Sequence, residues 1–562
     1  MRREVSVVNK KVCSFPILFA LLALLIGTCA VVFPASAQAA PTSTGSITVS
    51  GTGARSYDAY QIFSANVVDG DSDAKTATDL AWASDAARDA VLPVLHSAGM
   101  SNSQTTAQEA AEWLDTDSHL TSALSAQLAR SLQSSGAVSV ALNAGTTAEL
   151  PCGYWLIVAD DDSIAQGEAG TAPIMALVGG SAVTVKPKAA TPKVAKHVLE
   201  DSTAAWGKAA DATVADDLYW RLSATVPAGL TAYDTYTVQF VDTMSAGLDP
   251  SKVAASMHVY VAAGADGGFD AVSTGKDGRA GTEPAKGWTD ITAQCPTKVA
   301  ADGTFTVRTG DLIAALGGAD AFAAGARVVA VYNAPLNSAC NHGIAKGNPN
   351  EVYLRYPRSP FADQSGDAGF TRTPSDDACA YTWDLALTKR GSDGDKPLAG
   401  AVLSIADDRG RTLAADGTWD AEGKATVTTG EGGRVTVSGV DSGKLEVREL
   451  KAPKGYTAFE GTRSVTVKAK GLDVDQVVAA KPKLTITAES PLRADSADGS
   501  TGSLEASLIN TPAGTPPSIT TGGFMPSTGD MAMYAAPAAA VAGAALIVVA
   551  LLIKRGGGNH AE

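Results

Sequence analysis

Two-residue alternation of apolar and polar side chains dominates this chain. It runs through GSITVSG around Ile47, SAVTVKPK around Val183, TYTVQFVD around Val238, ARVVAVYN around Val329, NEVYLRYP around Val352, GRVTVSG around Val435 and LEASLIN around Leu508. Clusters of Gly, Asp, Ser and Thr separate these runs. Period two puts successive side chains on opposite faces of a strand, so the pattern predicts half-buried strands packed as β-sandwiches, Ig-like in a broad sense. Helical spacing is confined to TDLAWASDAARDAVLPVL around Trp82, AQEAAEWL around Trp113, SALSAQLARSL around Leu128 and TGDLIAALGGADAFA around Leu312. The first three crowd into the N-terminal third. The expected fold is therefore mainly β, with tandem Ig-like sandwich domains and an N-terminal domain that carries added helices.

Composition shifts suggest the joints. KPKAATPK, Lys186 to Lys193, reads as one, and the polar run YPRSPFADQSGDAGFTRTPSDDA, Tyr356 to Ala378, as another; TPAGTPPSITTGG, from Thr511, reads as an unstructured spacer. The expected divisions are a leader over 1–39, domains over 40–186, 187–378 and 379–512, a spacer over 513–524 and a terminal signal over 525–562.

Several polar residues break the alternation by sharing the apolar face. Lys196 shares its parity with Val194 and Val198, Asp242 with Val238 and Phe240, and Asn350 with Val352, Leu354 and Tyr356. The last domain repeats the set: Lys389 with Leu385 and Leu387, Glu449 with Leu445 and Val447, and Asn510 with Leu508. Charges are rarely buried unless they are paired. Desolvation lowers an amine's pKa and raises a carboxyl's, so a buried pair can rest as neutral amine and protonated acid. A neutral amine beside a carboxamide carbon is a nucleophile, and the acid can polarise the amide oxygen and pass a proton to departing ammonia. The expected product is an isopeptide bond for each set, Lys196–Asn350 promoted by Asp242 and Lys389–Asn510 promoted by Glu449. In the middle domain Asn348 or Asn333 remain alternatives to Asn350. Without the bond, each set would be a buried ion pair with a hydrogen-bonded asparagine.

The ends of the chain add compartment. Arg2, Arg3, Lys10 and Lys11 precede an apolar run from Phe15 to Phe33 and then ASAQAA, the layout of a secretory leader cut near Ala37 or Ala39. The formal charge is −15, and because residues 1–40 carry four bases and one acid it becomes about −18 on cleavage, which argues against a nucleic-acid partner. Near the other end, FMPSTGD is followed by 23 uncharged residues, Met531 to Ile553, and then by Lys554 and Arg555. That run is long enough to cross a bilayer with the bases on the cytoplasmic side.

Spacer, MPSTG, apolar span and basic end together resemble the cell-wall sorting signal of Gram-positive surface proteins. In that signal a sortase recognises a Leu-Pro-any-Thr-Gly pentapeptide; here the five positions are Met525, Pro526, Ser527, Thr528 and Gly529, with Met525 departing from leucine. The resemblance implies cleavage between Thr528 and Gly529 and an acyl-enzyme at Thr528. It also implies an amine acceptor. SAVTVKPK is similar to the lysine motif of sortase-assembled backbone pilins, with Lys186 in place of an aromatic residue and Lys188 as the implied acceptor. By strand parity Lys186 and Lys188 point away from Val183 and Val185 into solvent. Lys186 and Lys193 are alternative acceptors. LEVRELKAPKGY, Leu445 to Tyr456, is similar to the pilin E-box around Glu449. KPLAGAVLSI and LINTP are similar to segments of a collagen-adhesin B-type domain, while FVDTMSAGL and GNPNEVYLRY resemble the middle, A-type domain of backbone pilins. GSITVSGTGARSYDAYQIF more weakly resembles the start of a fimbrial N-terminal domain.

The resemblance implies a structural shaft subunit of a covalent, wall-anchored pilus that supports adhesion. Its implied partners are a class C-type pilin sortase, a housekeeping sortase, peptidoglycan and identical subunits joined head to tail between Thr528 and Lys188. The alternative is a wall-anchored adhesin or tip pilin that binds host glycan or matrix. No cofactor and no metal site is expected. The chain carries no C-x-x-C, H-E-x-x-H, G-x-S-x-G or phosphate-binding glycine loop, so a wall-bound enzyme finds little support beyond the self-catalysed bonds. Cys152, Cys295, Cys340 and Cys379 remain after the leader, too few for a disulfide scaffold. If FTVRTGD and ARVVAVYN pair as antiparallel strands, Cys295 and Cys340 lie at one pole. Cys295–Cys340 is then the preferred disulfide, Cys340–Cys379 the alternative, and Cys152 is buried and free.

Overall fold

The structure is a computed structural model that describes residues 43–514 apart from 71–73, 117, 276 and 473–481. The leader, the sorting motif and the apolar run after it lie outside the described residues. Among the described residues the chain is mainly β, with strands β1 to β33 in chain order arranged as six sheets. The sheets fall in sequence into three pairs. One pair uses β1 (Thr44–Val49) to β8 (Val183–Val185), one uses β9 (Lys193–Glu200) to β21 (Asp376–Tyr381), and one uses β22 (Trp383–Gly391) to β33 (Ser503–Pro512).

The first pair carries the helices α1 (Asp85–Ser97), α2 (Ala107–Asp115) and α3 (Ser122–Ser134). Each starts at a hydroxyl cap: Ser84, Thr106 and Thr121 accept from the first-turn amides, and Glu109 completes a capping box with Thr106. Trp82 is not helical. Lys75–Trp82 forms an edge strand, and the helix waits for the Ser84 cap. The expected helix around Leu312 is two single turns, Leu312–Ala315 and Ala319–Phe322, broken where Gly317 and Gly318 take φ of +91° and +127°.

The middle sandwich packs a six-stranded sheet on a seven-stranded one. β9 lies beside β12 (Tyr219–Val226), and β12 beside β18 (Ala326–Asn333). In the facing sheet β13 (Gln239–Met244) lies between β17 (Thr304–Arg308) and β19 (Asn348–Pro357), and β21 pairs with β19 on its other side. One core, with Trp220, Phe240, Phe305, Tyr332 and Leu354 fully or nearly buried, fills the space between them. In the last sandwich β22 runs parallel to β33, and β28 (Gly443–Lys451) lies in the opposing sheet.

Two expectations change here. The polar run from Tyr356 to Ala378 is not a joint: Phe370–Arg372 pairs with β19, Asp376–Tyr381 forms β21, and Phe370, Thr371 and Thr373 are buried. The change of sheets comes at Thr382. The expected Cys295–Cys340 disulfide is also absent, since all four described cysteines are free and buried. The strands FTVRTGD and ARVVAVYN do not pair, because β17 and β18 belong to facing sheets. Gln294, next to Cys295, packs against Gly310, just past the Arg308 end of β17 that pairs with Gln239. Cys340 packs against Gly247, beyond the Met244 end of β13. The two thiols therefore sit at opposite ends of one strand. Cys379 is unbridged too, with its thiol facing the Ala380 carbonyl.

Candidate functional site

The middle sandwich brings Lys196, Asp242 and Asn350 into its core, each with 0% exposure. Lys196 stands on β9 in one sheet; Asp242 and Asn350 stand on the adjacent antiparallel strands β13 and β19 of the other, where Asp242 faces Val352 and Asn350 faces Met244. The Lys196 amine makes a short ion pair with Asp242 Oδ2 and donates to the Tyr332 hydroxyl at 2.9 Å. Tyr332 donates to Asp242 Oδ2 at 3.1 Å and accepts from Asn350 Nδ2 at 2.8 Å. Asp242 Oδ1 and Asn350 Oδ1 are buried without a hydrogen-bond partner. Trp220 and Tyr332 place their rings 5.5 and 5.4 Å from the amine. Burial pulls the Lys196 amine down to about 8 against the opposing pull of Asp242, and burial raises the Asp242 carboxyl.

The two alternative asparagines are occupied elsewhere. Asn348 bonds the Asn341 backbone and the Ala380 carbonyl, and Asn333 bonds Leu218 N and Asp217. Asn350 lies on β19, which is followed by β20 (Phe370–Arg372) and β21, so it is not on the last strand of its domain.

The last sandwich assembles the same chemistry with the partners exchanged between sheets. Lys389 and Asn510 stand on the parallel neighbours β22 and β33, with Gly391 opposite Asn510, and Glu449 reaches in from β28 of the facing sheet. The Lys389 amine donates to Asn510 Oδ1 in a short bond and lies 3.0 Å from Glu449 Oε1, which also accepts from Asn510 Nδ2 at 2.9 Å. Glu449 Oε2 accepts from Phe459 N at 3.1 Å, and the Phe459 ring covers the amine at 5.8 Å. Burial lowers Lys389 to about 8, with Glu449 opposing. Gly433 positions this strand: its φ is +69°, and a Cβ there would lie 2.7 Å from the Lys389 carbonyl. Tyr332, Trp220, Phe459 and Gly433 are absent from the sequence-based set. A tyrosine at the apolar parity of ARVVAVYN signals a buried hydroxyl that needs a partner, but not which one.

Lys186, Lys188 and Lys193 are all exposed. Lys186 and Lys188 line a cleft of about 590 Å³ between the first and middle sandwiches, with Leu120, Met175 and Tyr233 on its walls.

Fold and site together define a modular β-sandwich protein whose middle and last modules each enclose an amine, an acid and a carboxamide. Residues 384–481 match the family model of the SpaA prealbumin-like fold domain. Over 143 residues the chain is 30% identical to the trypsin-resistant surface T6 protein of Streptococcus pyogenes serotype M6, covering 24% of each. The chain thus matches about a quarter of the length of that curated relative. Among solved structures, the T6 backbone pilin of the same organism is 17% identical, with a TM-score of 0.45 over 84% of this chain and 98% of that one. The major pilin SpaD of Corynebacterium diphtheriae is 15% identical, with a TM-score of 0.41 over 84% and 100%.

Proposed function

We propose that the chain is the shaft subunit of a covalently polymerised, cell-wall-anchored pilus in a Gram-positive bacterium. The observation that carries the proposal is the repeated enclosure of lysine, acid and asparagine in two successive sandwiches, together with an accessible Lys188 at the joint ahead of them and the MPSTG motif near the end. The T6 similarity and the SpaA domain support the same reading. In the proposed assembly a pilin sortase of class C type joins Thr528 of one subunit to Lys188 of the next, and a housekeeping sortase passes the finished polymer to peptidoglycan. The joining step needs a reachable amine, and Lys188 meets that need.

Maturation of the sandwiches is proposed to be self-catalysed. In the last domain the neutral Lys389 amine attacks Asn510 Cγ, forming a C–N bond. Glu449 Oε1, within 3.0 Å of the amine and 2.9 Å of Asn510 Nδ2, takes the amine proton and gives it to Nδ2. The Cγ–Nδ2 bond breaks and ammonia leaves, with no external reactant. Exclusion of water favours the neutral amine at the start and prevents hydrolysis of the intermediate. The Lys196–Asn350 bond would tie the two sheets of the middle sandwich together, and the Lys389–Asn510 bond would tie the first strand of the last sandwich to its final one.

Two measurements test the proposal. The intact mass of the recombinant ectodomain is expected to be lower than the sequence mass by two ammonia molecules, and an unshifted mass would sink the bonds. In the native host, Lys188→Ala is expected to abolish the high-mass ladder in wall extracts. An unchanged ladder would favour the tip or adhesin role instead.

A further inference from the structure

The two sites differ in how the acid meets the asparagine. In the last domain Glu449 Oε1 touches both reacting nitrogens directly. In the middle domain Asp242 bonds the Lys196 amine, and the hydroxyl of Tyr332 stands between that acid and Asn350 Nδ2. This hydroxyl is fully committed: it accepts from Lys196 and from Asn350 and donates to Asp242. A phenol offers one donor and two acceptor positions, so its hydrogen-bonding capacity is matched to the three reacting groups.

We infer that Tyr332 is a catalytic residue of the middle-domain bond, a proton relay that makes up for the short reach of aspartate. The inference rests on the proposed Lys196–Asn350 bond. The Lys196 amine attacks Asn350 Cγ and hands a proton to Asp242. Once Asp242 carries that proton, the Tyr332 hydroxyl turns from it toward Asn350 Nδ2, whose lone pair is free in the tetrahedral adduct. Asp242 passes a proton to the Tyr332 oxygen as the Tyr332 proton moves to Nδ2. Cγ–Nδ2 then breaks, ammonia leaves, and Asp242 and Tyr332 return to their starting protonation. Atoms balance as amine plus carboxamide giving secondary amide plus ammonia. The phenol is held well above its ordinary pKa by burial and by Asp242, so it acts as a neutral carrier and not as a phenolate. Its orientation is held by packing, since the ring lies edge-on to Phe305 with centroids 4.8 Å apart and Tyr332 is 0% exposed. Glutamate in the last domain is longer by one methylene and needs no relay.

The test is Tyr332→Phe in the full ectodomain, followed by intact mass and by mapping of cross-linked peptides. Wild type is expected to lose two ammonia molecules and Tyr332→Phe only one, with the Lys389–Asn510 peptide present and the Lys196–Asn350 peptide absent or formed at least tenfold more slowly. The bond in the last domain shows that the variant chain has folded there. A second chain carries 3,5-difluorotyrosine at position 332, which fits the same cavity with a more acidic hydroxyl. Its rate of ammonia loss on refolding is expected to differ severalfold from wild type, which a purely structural ring would not produce. Bond formation at the wild-type rate in both altered chains overturns the relay while leaving the proposed function intact. A wild-type chain without the Lys196–Asn350 peptide removes the middle bond itself, and the relay with it.

Discussion

Replacing Glu449 with glutamine removes one proton carrier and little volume. The shorter-lived consequence is steric and small, because the amide still fits between Lys389 and Asn510. The lasting one is chemical: the amide cannot accept the amine proton, so the last sandwich is expected to fold without its bond. Lys389 and Asn510 are 121 residues apart in sequence. By the chain-entropy argument for any covalent loop closure, a cross-link of that span removes about 5 kcal/mol of denatured-state entropy at room temperature. Unfolding entropy of about 2.1 cal/mol/K per residue over roughly 130 residues converts this to a fall of about 18 °C in the midpoint of that domain. The assay is differential scanning calorimetry of Glu449→Gln beside wild type, with intact mass on the same samples. The middle domain, whose site contains no residue from the last sandwich, is the internal reference. Lys389→Met, which loses the bond without leaving a buried amine, separates the entropy of the lost cross-link from the cost of an unpaired lysine. A Glu449→Gln chain that still loses two ammonia molecules would refute the role of Glu449. One that loses only one, yet melts within a few degrees of wild type, would refute the loop-closure estimate.

Other expectations follow from the same geometry. In an unbonded Asn510→Ala chain, Lys389 titrates near 8 when folded against 10.5 when unfolded. The folded state then holds fewer protons across that window, so stability rises with pH from about 8 to about 10, measured by urea unfolding against the double variant that also carries Lys389→Met. Glu200 sits where the middle and last sandwiches meet. It accepts from Asp211 N at 3.1 Å, and Asp211 in turn accepts from Trp383 Nε1 at 2.6 Å and Ser442 N at 3.0 Å. Burial, with Asp211 adding to it, raises Glu200 to about 8. A raised acid keeps its proton only in the folded state, so this contribution to stability is lost as pH rises through about 5 to about 8, and Glu200→Gln flattens the loss in the same urea assay. Burial pushes Cys295, Cys340 and Cys379 up to about 11. Iodoacetamide is therefore expected to leave the native protein unlabelled and, after denaturation without reductant, to label all four cysteines; labelling of only two would restore a disulfide.

Strand parity alone was enough to place six polar side chains on apolar faces, because a period of two leaves each strand residue only two directions and the neighbouring valines and leucines declare which one is buried. Lys196, Asp242, Asn350, Lys389, Glu449 and Asn510 were legible for that reason, as were the outward lysines around Lys188. The mainly β fold with helices gathered near the N-terminus was legible for the same reason, and the caps at Ser84, Thr106 and Thr121 are local sequence signals. Parity carries no information about which sheet a strand joins. The sequence therefore did not distinguish the middle site, where lysine faces acid and asparagine across the sandwich, from the last site, where lysine and asparagine are neighbours and the acid faces them. It misjudged the cysteines because β17 and β18, close in the chain, lie in facing sheets, with Cys295 and Cys340 at opposite ends of β13. Tyr332 is the sharpest case. Its burial was written in ARVVAVYN, but its place between Asp242 and Asn350 arises only when β18 is laid over β13 and β19, a packing of strands distant in sequence.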